Sequence, residues 1–131
     1  MKPPPPHGPP PPGPPNVADL KDLVDQWSTF TTDLVKKGYD FDLDNWRNDV
    51  DVRGLIEEAL PMFSREEMGD HALKLDAADQ FFMEQTRDFK KCVWGHGTQK
   101  KEKWTAAKEW WYFRTPNRSN GQLEDELATV R

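Results

Sequence analysis

Leu20, Leu23, Val24, Trp27, Phe30, Leu34 and Val35 recur at intervals of three and four, which stacks them on one side of a 3.6-residue period and predicts a helix over residues 17–37. The ends of this stretch agree with its middle. Asn16 offers an oxygen to the free amides of the first turn and Asp19 adds a negative charge there, while Lys36 and Lys37 suit the last turn and Gly38 tolerates a left-handed exit. The next segment, Tyr39-Asp-Phe-Asp-Leu-Asp-Asn45, alternates apolar and acidic residues and reads as an extended lead-in. Asp44 is then the expected cap of a second helix over 45–60, carrying Trp46, Val50, Val52, Leu55, Ile56, Ala59 and Leu60 and closed by Pro61. Ser64-Arg65-Glu66-Glu67 has the spacing of a capping box, which opens a third helix. Its stripe of Met68, Ala72, Leu75, Ala78, Phe82 and Phe89 carries it over 65–90, with Gly69 as an early weak point.

Beyond Phe89 the periodicity stops. Cys92-Val-Trp-Gly-His-Gly97 is turn-rich and residues 98–103 are polar. Glu109-Trp-Trp-Tyr-Phe-Arg114 has the aromatic composition of an extended segment ended by Thr115-Pro116, and Leu123, Leu127 and Val130 mark a short terminal helix. The expected fold is therefore mainly α: a small bundle of three main helices, closed by an extended aromatic C-terminal segment and a short terminal helix.

Composition changes this picture at one end. Prolines crowd residues 1–15, which reads as a disordered leader of polyproline II character in front of a single helical domain, 16–131. One cysteine, Cys92, permits no internal disulfide and suits a reducing compartment. No apolar run approaches the roughly 20 residues a membrane-spanning helix needs. A cytoplasmic protein without membrane contact is expected.

The net charge of −5 conceals a division of sign. Residues 17–60 carry 11 acids and 5 bases, whereas residues 87–118 carry 3 acids and 9 bases, so the two regions suit different partners. The acids Asp40, Asp42, Asp44, Asp49, Asp51, Glu57 and Glu58 suggest a helical face that docks on a basic protein. The bases Lys90, Lys91, Lys100, Lys101, Lys103, Arg114 and Arg118, together with Trp104, suggest the alternative of a nucleic-acid surface, with cations on phosphates and a ring stacked on a base. Most of the tryptophans are expected in the core, with Trp104 the most exposed.

Catalytic chemistry is sparse. Cys92 and His96, four residues apart, are a nucleophile and base or half a metal site, but a closed zinc site requires four ligands and no second pair accompanies them. The alternating aspartates lack the glycine and distal glutamate of a calcium loop. There is no glycine-rich phosphate loop and no serine elbow, so neither cofactor nor metal is expected.

Two resemblances accompany these readings. Asp51-Val-Arg53, Leu75-Asp76 with Phe82 and Thr86, Val93-Trp-Gly95 and Glu109-Trp-Trp-Tyr-Phe-Arg-Thr-Pro116 together resemble a group of short uncharacterised bacterial proteins, over about residues 40–127. That implies a shared fold and a bacterial cytoplasmic setting but no activity. Arg53 in such a pattern implies a structural bond to the aromatic segment or a helix end. Separately, Arg65 and His71, with five residues between, resemble the Arg-to-His motif of HEPN-type ribonucleases, which implies RNA cleavage. The leading expectation is a non-enzymatic interaction or regulatory module of immunity or antitoxin type. Nucleic-acid binding comes second and a ribonuclease third.

Overall fold

The computed structural model describes residues 16–131; the proline-rich leader lies outside the described residues. Helix α1, Val17–Lys37, starts at a reciprocal cap in which Asn16 and Asp19 each accept the other's backbone amide, and it stops where Gly38 adopts φ 72°. Helix α2, Leu43–Ala59, is capped by Asp42 rather than Asp44: the Asp42 carboxylate accepts from the Asn45 amide at 2.9 Å. The capping residue is thus the one that leaves Leu43 and Trp46 on the buried side, and the lead-in is shorter than the alternation suggested.

The long third helix is corrected. Ser64 and Glu67 form the expected capping box, but the helix so started, α3, is only the turn Arg65–Met68. Gly69, at φ 60° and with open space around it, breaks the chain before α4 runs from Asp70 to Gln85. Phe89 lies beyond the end of α4, in the loop that follows a short strand. Thr86–Asp88 is a strand, β1, and after it α5 occupies His96–Glu102, where a polar turn-rich stretch was expected.

The aromatic segment is corrected as well. Trp110–Phe113 coils into a 3-10 turn instead of lying extended, and only Arg114–Pro116 is a strand, β2, antiparallel to β1 with Arg87 opposite Thr115. Coiling lets consecutive rings point to several sides of a crowded core, which a period-two strand would forbid. Arg114 secures the pair: its guanidinium donates to the Thr86 hydroxyl at 2.7 Å and to Asp88 at 2.7 Å. Helix α6, Gly121–Ala128, closes the described chain from its Asn120 cap. The described residues are thus mainly helical, with six helices and one two-stranded sheet.

The core is one contiguous cluster. Helix α1 lies along α4 and α2, and Trp27, Trp46, Phe82 and Trp111 are all at most 1% exposed. Trp94, Tyr112 and Phe113 are buried too, and Trp104 lies half-buried across the Tyr112 ring, centroids 4.0 Å apart. On α2, Gly54 faces Tyr112 so closely that a Cβ would run into its hydroxyl, so the glycine is set by packing and not by backbone angle.

Arg53 is the charged residue enclosed in this core. Its guanidinium forms a fork on Asp79 at 2.9 and 3.1 Å, reaches Glu57 at 2.8 Å, and lies over the rings of Trp110 and Trp111 at 5.3 and 5.1 Å. Asp79 also accepts the Trp27 indole N–H at 2.8 Å, so one ion pair ties α1, α2, α4 and the aromatic turn together.

Candidate functional site: an acidic groove beside the end of α1

A concavity of about 960 Å³ lies along the C-terminal half of α1. Its wall on α1 follows from spacing: Asp25, Thr29, Asp33 and Lys37 succeed one another every fourth residue, beside the inward-turning Phe30 and Leu34. The far wall is brought in by the chain after β2. Tyr39 donates its amide to the Arg118 carbonyl at 2.9 Å, and the Arg118 guanidinium in turn donates to the Leu34 and Val35 carbonyls at 2.9 and 2.8 Å. Gly38 is needed at this crossing because a Cβ would sit 2.9 Å from the Arg118 carbonyl oxygen and from its Cβ.

The groove combines rings with carboxylates. Phe30, Tyr39 and Phe41 form an edge-to-face ladder with centroids 6.1 and 5.6 Å apart, which rises from the core to a Phe41 that is 57% exposed. Asp25, Asp33, Asp40 and Asp49 line it against Lys37 and Arg118. Asp25 accepts from Lys74 at 2.7 Å and bonds His71 at 3.0 Å, which holds its carboxyl below the usual range, the Lys74 bond first. Asp40 accepts from Asn120 at 3.1 Å, and Asp49 accepts the Tyr39 hydroxyl at 2.6 Å.

The seven acids singled out from the sequence do not share one face. Asp40 and Asp49 reach the groove. Asp42 is spent on the α2 cap, where the Asn45 backbone lowers its proton affinity, and Asp44 projects into solvent 3.5 Å from Arg47. Asp51, about 200° round the helix from Asp49, accepts the Tyr112 hydroxyl at 2.5 Å. Glu58 sits nearby, its carboxyl raised by burial and then by Asp51 and Glu102, and Glu57 is held by Arg53. Asp25 and Asp33, absent from those seven, lie on the groove side of α1; their separation of eight residues, with Thr29 midway, is the sequence signal that they share a face.

The basic residues are dispersed by role. Arg114 and Arg118 donate to internal carbonyls, and Lys91 donates to the Val130 carbonyl at 2.6 Å. Lys90, Lys100, Lys101 and Lys103 are exposed, the last ending α5 in the left-handed conformation, while the Trp104 ring is used on Tyr112. Arg65 pairs with Asp76 at 3.0 Å and His71 with Asp25 on α1, so the two residues of the ribonuclease-like spacing have separate partners on either side of Gly69. Cys92 is fully buried whereas His96 is exposed, and no group of three metal-ligating side chains occurs among the described residues. No described helix is long and apolar enough to cross a membrane.

Burial pushes the Cys92 thiol up to about 11 and raises both phenols, Tyr39 and Tyr112, beside the carboxylates that accept their protons. In the unfolded chain these groups ionise at their ordinary values, so the stability they contribute is complete below pH about 9 and drains away as pH rises towards and past about 11. Absorbance at 295 nm should accordingly show no tyrosinate until the chain unfolds, since these are its 2 tyrosines. A reversible phenol titration near pH 10 with native circular dichroism would contradict the buried placement.

Compared with protein-family models, curated proteins and solved structures, the chain matches none.

Proposed function

We propose that this protein is a cytoplasmic, non-enzymatic interaction module, of immunity, antitoxin or small-regulator type, whose groove receives a lysine- or arginine-bearing segment of a partner protein. The observation that carries this reading is the pairing of an outward Phe41 with carboxylates in one concavity. Basic side chains have apolar stems and charged heads, so the exposed Phe41 ring suits a stem while Asp33 and Asp40 at the walls suit the heads. The engagement of Arg114 and Arg118 by internal carbonyls supports placing recognition on the acidic side of the molecule and not on the basic segment.

A titration of the isotopically labelled protein with a short arginine-containing peptide tests it. Amide shifts should concentrate in residues 25–41 and 118–120, weaken with added salt, and lose about tenfold in affinity when Asp33 and Asp40 are both changed to Lys. Shifts spread evenly over the surface, or confined to α5 and Trp104, would overturn the assignment. A parallel titration with single-stranded RNA should leave the groove amides in place.

A further inference from the structure

We infer that the partner segment received by the groove is extended and carries an acid two residues from its base, the base seated on Asp33 and the acid on Lys37. This rests on the reading of the groove as a docking surface and adds the partner's charge pattern. The groove's charges are not equivalent. Among its acids, Asp25 is held by Lys74 and His71, Asp49 accepts the Tyr39 hydroxyl, and Asp40 accepts from Asn120. Arg118 is committed to the Leu34 and Val35 carbonyls. That leaves Asp33 and Lys37, which both line the groove and whose side chains make no hydrogen bond or ion pair among the described residues.

Helix geometry sets their spacing. Asp33 and Lys37 are four residues apart on α1, so they leave the same face about 6 Å from each other along the axis. In an extended segment, residues i and i+2 point to the same side about 6.6 Å apart, which matches. Lys37 is also surplus to the helix. A cation near a helix C-terminus ordinarily offsets the negative end of the dipole, and here Arg118 does so by donating to two of the last carbonyls. Transient pairing of Asp33 with Lys37 across solvent is weak, so a ligand that supplies both opposite charges displaces it readily. A purely basic segment would instead set one of its charges beside Lys37.

Short peptides containing Arg-Ser-Glu, Arg-Ser-Gln or Arg-Ser-Lys in an otherwise identical, uncharged frame provide the test, titrated into the full-length labelled protein. The glutamate peptide should bind about threefold tighter than the glutamine peptide, the scale of one exposed ion pair, and the lysine peptide should bind weakest. Lys37→Gln should remove the difference between the glutamate and glutamine peptides, and Lys37→Glu should reverse the order so that the lysine peptide binds best. Equal affinity of the native protein for the glutamate and glutamine peptides would overturn the inference. So would a preference for glutamate that survives both Lys37 variants, or tighter binding of a helical peptide with its base and acid four residues apart. The same titrations separate this result from the underlying reading: groove amides that respond alike to all three peptides leave the docking surface standing and remove the charge pattern alone, whereas a groove silent to all three removes both.

Discussion

A Phe82→Ala chain should lose about 4 kcal/mol of stability, the largest effect expected of any single truncation here. Phe82 is 0% exposed and is the ring on which the others converge: Trp27, Trp110, Trp46 and Phe30 have centroids 5.0, 5.9, 6.0 and 6.3 Å away. Removing it opens a space walled by large, stiff rings on α1, α2 and the aromatic turn, none of which can collapse into it without displacing another. The cost is a sizeable share of the roughly 5–15 kcal/mol that holds a domain of this kind. Urea unfolding should show a lower midpoint at unchanged slope, with Phe82→Leu costing about a third as much because it keeps most of the volume. A loss below about 1 kcal/mol for the alanine would mean that the ring cluster is not the keystone described. Because Phe30 is both a neighbour of Phe82 and the innermost ring of the groove, the alanine should also weaken peptide binding.

The sequence made that cluster legible and left its setting obscure, for separable reasons. Helix α1 was readable because apolar spacing, cap and terminal charge all agree from Asn16 to Gly38. Residues 65–90 read as one helix only if Gly69 is tolerated inside it. A capping box says where a helix starts and nothing about how far it runs, and Gly69 takes a positive φ that ends the first turn. Ring content alone makes residues 109–114 read as extended. The coiled form of this run sets Trp110 and Trp111 against Arg53 of α2, a contact that no local window contains. The groove was half visible: Asp40 and Asp49 stood out by alternation, while Asp25 and Asp33 join them only through the crossing of Arg118 over Gly38. The Arg118 and Arg114 charges looked like a binding surface because sequence cannot show that a guanidinium already has carbonyl partners.

Arg53→Ala should cost about 3 kcal/mol, and the pattern of its rescue would say why. The side chain is 7% exposed and Asp79 23%, so the pair has given up most of its water, and losing one member leaves the Asp79 carboxylate with the Trp27 indole as its remaining close donor. If that stranded charge is the main penalty, Arg53→Met combined with Asp79→Asn should recover roughly half of the loss, because the amide oxygen still accepts from Trp27 and carries no charge to be desolvated. Arg53→Lys should fall between, since a lysine keeps the charge but can neither fork onto both carboxylate oxygens nor lie flat on Trp110 and Trp111. A double variant no more stable than Arg53→Ala would instead assign the cost to the lost stacking and packing on the aromatic turn. An alanine that costs less than about 1 kcal/mol would show that the junction of α1, α2, α4 and the turn does not depend on this ion pair.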